Sequence, residues 1–184
     1  MAKFVFPSWK GWLLINPVRL LLQPPDKILG DLAAPGMTVL DLGCSMGYFT
    51  LPLARRIGPH GRVLCLDSDE TQLRVLRRRA ARAGLLDRLE LRLLDPTVSD
   101  LSLAPQSLDL AVLLQVLHYM DDPPGALAQT HAALKPGAAL LLGEPRSHLS
   151  PADWRATLDM AAQAGFAVGD TREMYNLRLA IAKK

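Results

Sequence analysis

The sequence predicts a doubly wound α/β fold whose mainly parallel sheet ends in an antiparallel hairpin. From residue 37 onward, short apolar runs alternate with helix-like segments, which is typical of βαβ units. Only a short polar connection separates the last two strand-like runs, so they are expected to pair antiparallel. The chain has 184 residues, 49% of them hydrophobic, which is enough for one domain with a sizeable core.

Seven strands are predicted from the apolar runs, and helices fill the longer gaps between the first five. The predicted strands are Thr38–Asp41, Arg62–Asp67, Leu89–Leu94, Leu108–Leu114, Ala138–Gly143, Phe166–Thr171 and Leu177–Ala182. A turn and a helix, Tyr48–Arg56, follow the first strand. The parallel strands would therefore carry helices on both faces of the sheet.

Capping residues locate the remaining helices. Asp122 before Pro123, and Ser150 with an acid three residues later, predict two helix starts. The run Lys135-Pro136-Gly137 is expected to stop the helix before the fifth strand. An arginine-rich helix closing at Gly84 has an apolar stripe. The stripe consists of Leu73, Leu76, Ala80 and Ala83.

Residues 1–36 do not share this alternation and are predicted to form a separate helical arm. Trp9 and Trp12 make the segment too apolar for a free tail, while Pro17, Pro24 and Pro25 break any long helix. We expect the arm to lie as a lid over the carboxyl edge of a domain spanning residues 37–184.

Composition favours a soluble, cytoplasmic protein. The two cysteines, Cys44 and Cys65, lie in apolar or glycine-flanked stretches, unlike a secreted disulfide framework. No charge-free apolar run reaches the ~20 residues that a membrane span needs. The net charge of +3 is mild, and the arginines of the arginine-rich helix are expected on its solvated face, which makes nucleic acid an unlikely partner.

A glycine-flanked turn and three acids point to a ligand site. Asp41 is expected in the turn that contains Gly43 and Gly47, just past the first strand, where doubly wound sheets bind ligands. Asp67 ends the second strand about twenty residues later, at the spacing where an acid meets a ribose, and Asp95 ends the third. Such acids would repel a pyrophosphate and attract a cationic, phosphate-free nucleoside. The charges therefore favour S-adenosylmethionine over a dinucleotide.

An ordered series of motifs makes the interpretation more specific. The series is Val39-Leu40-Asp41-Leu42-Gly43-Cys44, Val63-Leu64-Cys65-Leu66-Asp67, Ser107-Leu108-Asp109-Leu110, Val116-Leu117-His118-Tyr119, Leu134-Lys135-Pro136-Gly137 and Ala164-Gly165-Phe166. From residue 37 to the end, the chain resembles the class I S-adenosylmethionine-dependent methyltransferases, particularly the small type 11 members. The resemblance implies a Rossmann-like sheet with strand order 3-2-1-4-5-7-6.

The resemblance also implies roles for individual residues. Asp41 and Gly43 would meet the methionyl end of the cofactor, Asp67 the ribose hydroxyls, and Asp95 the adenine amino group. The remaining cofactor-binding candidates are Cys44, Ser45, Gly47, Ser68, Pro96 and Gln115. S-adenosylhomocysteine would be the product. No spacing typical of metal ligands occurs among the histidines and cysteines, so no metal is expected.

Methyl transfer from a sulfonium is a displacement that depends mainly on alignment, so a catalytic base is optional. The catalytic candidates near the expected methyl position are His118, Tyr119 and Glu144, and His118 could take a proton. Pocket lining is the alternative role for the histidine. No appended recognition domain is evident, so the arm and the loops after strands four and five are expected to select the acceptor. A small molecule is the first hypothesis for it.

Two other functions stay open. Ser45 replaces the usual middle glycine of the family, and Pro96 has no N–H to offer to adenine. These departures allow a cofactor-binding but inactive partner or regulatory domain. A nucleic-acid-binding module that uses the arginine-rich helix is the third hypothesis, and its binding would weaken steeply with salt.

Overall fold

A seven-stranded sheet forms the centre of the molecule. The computed structural model describes residues 17–95, 100–147 and 149–184. The strands are β1 (Thr38–Leu42), β2 (Arg62–Asp67), β3 (Leu89–Leu93), β4 (Leu108–Leu114), β5 (Leu134–Pro145), β6 (Ala167–Met174) and β7 (Leu177–Lys183). Their order is β3-β2-β1-β4-β5-β7-β6, with β7 antiparallel to both of its neighbours. The predicted order and the terminal hairpin are confirmed.

Helices cover both faces of this sheet. They are α1 (Pro17–Leu22), α2 (Pro25–Leu29), α3 (Thr50–Arg56), α4 (Glu70–Arg82), α5 (Pro123–Ala133) and α6 (Pro151–Gln163), with 3₁₀ turns at Leu86–Arg88 and Leu117–Tyr119. Side chains alternate between the two faces along each strand. In β1, Val39 joins the apolar core under α2, α3 and α4, whereas Leu40 and Leu42 join the core under α5 and α6. The doubly wound architecture is therefore confirmed.

Side-chain caps start the helices where the sequence predicts. The Asp122 carboxylate accepts a hydrogen bond from the Gly125 N–H at 2.9 Å. Ser150 and Asp153 form a reciprocal capping box at the start of α6. In α4, Leu73, Leu76 and Ala80 are buried as expected. The stripe does not extend to Ala83, which is exposed because the helix ends at Arg82.

Several boundaries differ from the prediction, most clearly at β5. This strand begins at Leu134, so the Lys135-Pro136-Gly137 run lies within the strand and not in a turn before it. Leu134 pairs with Leu108, and the Gly137 N–H donates to the Lys184 carbonyl at 3.0 Å. Pairing with neighbouring strands thus extends β5 through a sequence that forms turns elsewhere. In the same way β6 reaches Met174 by pairing with β7.

The described part of the N-terminal arm consists of α1, α2 and their connections. Ile28 and Leu29 of α2 are fully buried against the sheet. Trp9 and Trp12, which the sequence assigns to the arm, lie outside the described residues, as does Pro96. Across the described ranges, every helix is too short or too polar to cross a lipid bilayer.

Candidate functional site

The turn after β1 is attached to the end of β2 by main-chain hydrogen bonds. The Gly43 N–H donates to the Leu66 carbonyl at 2.8 Å. Two residues later, the Ser45 N–H donates to Oδ2 of Asp67, also at 2.8 Å. The glycine turn and the acid that ends β2 therefore form one unit at the carboxyl edge of the sheet.

Backbone conformation explains the glycines of this turn. Gly43 and Gly47 have φ values of 76° and 82°, in the left-handed region that favours glycine. A Cβ atom at position 43 would lie 2.5 Å from Cγ2 of Val116. Ser45 also has a left-handed φ, 50°, and its hydroxyl donates to the side-chain carbonyl of Gln72. The turn is thus compact and is fixed by its own neighbours.

Asp67 is partly buried and oriented from two sides. In addition to the bond from Ser45, its Oδ1 accepts the Asp69 N–H at 2.9 Å. Burial raises the pKa of the Asp67 carboxyl, and these main-chain N–H bonds oppose that shift. The Ser68 N–H is a third main-chain donor to this carboxylate, which has about four acceptor positions, so acceptor capacity remains for an incoming hydroxyl. The neighbouring Ser68 is exposed.

Asp41 lies in β1 and not in the turn, which corrects the prediction. Its side chain is only 4% exposed, and Oδ2 accepts the Thr50 hydroxyl at 2.6 Å. Burial raises the pKa of Asp41 to about 7, the Thr50 bond opposes the shift, and the charge of Asp67 adds to it. This carboxyl is therefore a proton-binding group near neutral pH.

The three predicted acids lie in different environments: Asp41 within β1, Asp67 at the last residue of β2, and Asp95 after β3. Asp41 is buried, Asp67 is partly buried, and Asp95, two residues beyond β3, is exposed. Cys44 is buried as well, and burial raises the pKa of its thiol well above the ordinary value. A protonated thiol is a poor nucleophile, which agrees with a structural role for Cys44.

A second group of predicted residues meets at the ends of β4 and β5. His118 lies on the 3₁₀ turn after β4, and its Nδ1 is 2.5 Å from Oε2 of Glu144 in β5. These side chains are 13% and 2% exposed, so the pair is shielded from water. The Tyr119 ring lies 3.9 Å from the His118 ring, between centroids. Burial and the charge of Glu144 raise the pKa of the Tyr119 hydroxyl.

Gln115 connects this group to the N-terminal arm. Its N–H donates to the Gly143 carbonyl at 2.6 Å, and its Nε2 lies 3.4 Å from Oε1 of Gln23. Gln23, immediately after α1, also accepts the Tyr48 hydroxyl at its main-chain carbonyl and donates to the Tyr175 carbonyl, at 2.9 and 3.2 Å. The arm thus contacts the segments that follow β1 and β4 and the turn between β6 and β7.

Four residues of this region were missed by sequence reasoning. Thr50 could have been found from its position at the start of the helix after the glycine turn. The other three, Arg19, Gln23 and Gln72, reach the site through long-range side-chain contacts and lack a local signal. They are identified only when the fold brings distant segments together.

Comparison with known proteins gives a consistent result. Residues 39–137 match the family model described as a methyltransferase domain. A 2-phytyl-1,4-naphtoquinone methyltransferase of Nostoc sp. is 31% identical over 134 residues, which cover 73% of this chain and 57% of that protein. A ubiquinone biosynthesis O-methyltransferase of Hahella chejuensis is 33% identical over 140 residues, 73% of this chain and 54% of the relative. The chain thus spans little more than half the length of these two relatives.

The overall architecture has a close match among solved structures. A SAM-dependent methyltransferase from Aquifex aeolicus superposes with a TM-score of 0.84 at 24% sequence identity, covering 97% of this chain and 99% of that one. At this identity the match establishes the shared fold, including its seven-stranded sheet.

Proposed function

Because this chain belongs to the methyltransferase domain family, we propose that it binds S-adenosylmethionine at the β1–β2 edge and methylates a small-molecule acceptor. The observation that carries the proposal is the link between the glycine turn and Asp67, made by the Ser45 N–H at 2.8 Å. This link keeps a carboxylate beside a compact turn at the edge where doubly wound sheets bind ligands.

The residues present fit such a cofactor. Asp67 keeps acceptor capacity for a ribose hydroxyl beyond the bonds from its main-chain neighbours. The buried Asp41 would be stabilised in its charged form by an ammonium group at the methionyl end. Asp95, exposed beyond β3, is proposed to meet the adenine amino group. The proposed binding set is completed by Gly43, Cys44, Ser45 and Gly47 of the turn, with Ser68, Pro96 and Gln115.

The pair of His118 and Glu144 would remove a proton from the methyl acceptor. When bound, S-adenosylmethionine supplies an electrophilic methyl group. Oε2 of Glu144 lies 2.5 Å from Nδ1 of His118, and with the ring proton on Nδ1 the proposed role of Nε2 is to take the proton of the acceptor. The Glu144 charge then stabilises the imidazolium that forms. Tyr119, in contact with the His118 ring, would help to orient it.

A small acceptor agrees with the surroundings of this pair. The His118 side chain is 13% exposed, so only a small acceptor would reach it, and we propose that the arm acts as a lid. The names of the two relatives describe methyltransferases that act on 2-phytyl-1,4-naphtoquinone or in ubiquinone biosynthesis. The free cysteines Cys44 and Cys65 favour a cytoplasmic location for the reaction.

Ligand-dependent stability tests the cofactor site. S-adenosylhomocysteine at a hundredfold excess over Kd is expected to raise the free energy of unfolding by about 2.7 kcal/mol. Asp67→Ala should lose most of this gain because the ribose acceptors are removed. Asp159→Asn, an exposed aspartate of α6, is the matched control and should keep it. An Asp67→Ala protein with an undiminished gain would refute the site assignment.

The non-glycine residue in the turn supports one alternative, an inactive cofactor-binding domain. Ser45 has a φ of 50° where the family usually has glycine. Turnover of labelled S-adenosylmethionine against a broad metabolite panel separates the two functions. Tight cofactor binding with no transfer to any metabolite or cell protein would favour the inactive domain. Transfer to a protein extract alone would exclude a small-molecule acceptor.

A further inference from the structure

The last two residues of α1 expose large apolar side chains to solvent. Leu21 is 82% exposed and Leu22 is 64% exposed. Among the described residues, the third exposed large hydrophobic residue is Leu93 on β3, at 55%. Single exposed leucines are common on soluble proteins, whereas two adjacent ones at the end of one short helix form a continuous apolar surface. We call the surface of Leu21 and Leu22 the arm patch.

Contacts on the opposite face of α1 set the direction of the arm patch. The guanidinium carbon of Arg19 lies 4.1 Å from the centroid of the Tyr48 ring, and its Nε donates to Oε1 of Gln23 at 3.0 Å. Successive residues of an α-helix are about 100° apart around its axis, so Leu21 points about 200° away from Arg19. The inward contacts of Arg19 therefore hold the helix with the arm patch facing solvent.

The segment that carries the arm patch is basic as well as apolar. From residue 1 to residue 25 the sequence contains no aspartate or glutamate, and its cations are Lys3, Lys10 and Arg19. The first acid of the chain, Asp26, forms an ion pair with Arg56 at 2.9 Å. Trp9 and Trp12 precede α1 in the sequence, outside the described ranges. Leucine, tryptophan and basic residues without acids are typical of segments that bind at the surface of an anionic membrane.

We propose that the arm patch docks the protein on an anionic lipid bilayer, with Leu21 and Leu22 inserted between the lipids and the basic residues of the arm near the head groups. Negative head groups complement the positive charge of the acid-free segment. A second copy of the chain would present the same basic segment, so pairing of two arm patches would bring like charges together. Peripheral binding of this kind does not require a helix that spans the bilayer.

The arm patch is connected to the carboxyl edge of the sheet by Gln23, the residue directly after it. Oε1 of Gln23 lies 3.4 Å from Nε2 of Gln115, which follows β4. Docking would therefore bring this edge of the sheet close to the lipid surface, where an acceptor dissolved in the bilayer would reach it. The docking does not depend on methyl transfer, so its test requires neither cofactor nor acceptor.

Cosedimentation of the full chain with lipid vesicles tests the docking. The probes are vesicles of phosphatidylcholine alone and vesicles of phosphatidylcholine mixed with phosphatidylglycerol, which is anionic. Binding to the anionic vesicles should be tighter by about fivefold or more, the effect of one basic side chain near the surface, and should weaken with added salt. Leu21→Gln/Leu22→Gln should weaken it by about 10- to 100-fold, because two apolar side chains no longer enter the bilayer.

Two control variants separate the arm patch from other surfaces. Leu93→Gln makes the same change at the exposed leucine of β3 and should leave vesicle binding within about threefold of wild type. Arg77→Gln/Arg78→Gln removes two exposed arginines of α4, the rival basic surface, and should also stay within about threefold. Wild-type binding by Leu21→Gln/Leu22→Gln, or a loss of binding confined to the α4 variant, would overturn the proposal.

Sedimentation velocity without vesicles distinguishes a lipid partner from a second copy. Wild type and Leu21→Gln/Leu22→Gln should have the same oligomeric state and the same melting temperature, because both leucines are exposed. A wild-type dimer that the double variant converts to monomer would show that another copy covers the arm patch, and would overturn the proposal. Wild-type protein that binds neither kind of vesicle would also overturn it, while leaving the proposed methyltransferase function intact.

Discussion

The two halves of the sheet's carboxyl edge hold their polar groups in different ways. At the β1–β2 half, Asp67 is fixed by N–H groups of Ser45 and Asp69, which belong to the loops at the ends of those same strands. At the β4–β5 half, His118 and Glu144 are joined side chain to side chain, 26 residues apart in sequence. The first half is built from local backbone geometry, whereas the second depends on tertiary packing.

The difference in construction corresponds to different chemistry. Asp67 is only partly buried and keeps acceptor positions for a ligand, so its half of the edge is suited to binding. Glu144 is 2% exposed and its described partner is an imidazole nitrogen, so its half is suited to holding a proton away from water. Changes in the second half should therefore affect turnover, and changes in the first should affect binding and stability.

The largest expected effect comes from the β4–β5 half. Glu144→Gln preserves a hydrogen-bond acceptor for Nδ1 of His118 but removes the charge that stabilises the imidazolium. We expect the rate of methyl transfer to fall about 10²- to 10⁴-fold, the usual contribution of general acid–base catalysis, with unchanged affinity for S-adenosylhomocysteine. Single-turnover transfer of a labelled methyl group and calorimetric binding measure the two quantities.

Variants of the same pair and of a neighbouring acid provide the controls. His118→Gln and the double variant should be nearly as slow as Glu144→Gln, because residues that act as a unit are not additive. Glu173→Gln, on β6 and about half exposed, should keep the wild-type rate. If Glu144→Gln weakened cofactor binding as strongly as turnover, the functional division of the edge would be wrong.

Asp41, in the β1–β2 half, is expected to have a smaller effect, on the pH dependence of folding stability. Its carboxyl has a pKa of about 7 in the folded chain against 3.8 in the unfolded one, so the folded state binds more protons between these values. Stability should therefore fall as pH rises from 4 to 7, by up to roughly 4 kcal/mol from this group. Asp41→Asn keeps an acceptor for Thr50 and should remove that dependence, so its advantage over wild type should grow with pH.

Urea unfolding at several pH values measures this advantage. Asp87→Asn, an exposed aspartate, controls for the loss of one negative charge and should follow the wild-type curve. If the free energies of unfolding of wild type and Asp41→Asn differed by a constant amount from pH 4 to 8, burial would not raise the pKa of this carboxyl.

The same contrast explains how far the sequence could be interpreted. The strands, the turn at Gly43 and the acid at Asp67 are predictable because local periodicity, glycine and a fixed spacing produce them, whereas the strand order is what the family resemblance implies. The burial of Asp41 against Thr50 was not predictable from the sequence, because it depends on how α3 packs on β1. Likewise, His118 and Glu144 could be named as candidates from their strand ends, but their 2.5 Å contact needs the register of β4 with β5.

The smallest expected effect concerns Ser45, which tests whether the β1–β2 half is already well adapted to its ligand. Glycine would remove the strain of a φ of 50°, worth about 1 kcal/mol, but would also remove the hydroxyl bonded to Gln72, worth a similar amount. Ser45→Gly should therefore leave the free energy of unfolding within about 1 kcal/mol of wild type. Because the hydroxyl is already held by Gln72, affinity for S-adenosylhomocysteine should change less than about threefold.

Ser102 supplies the matched control for this variant. It has a φ of 49°, and its hydroxyl lies 3.2 Å from Oδ2 of Asp100, on an exposed loop before β4. Ser102→Gly should reproduce the stability change without any change in binding. A gain in affinity of tenfold or more, about 1.4 kcal/mol, confined to Ser45→Gly would mean that the serine obstructs the cofactor turn. Since every other contact of the turn would be intact, that result would shift the preferred function toward an inactive binding domain.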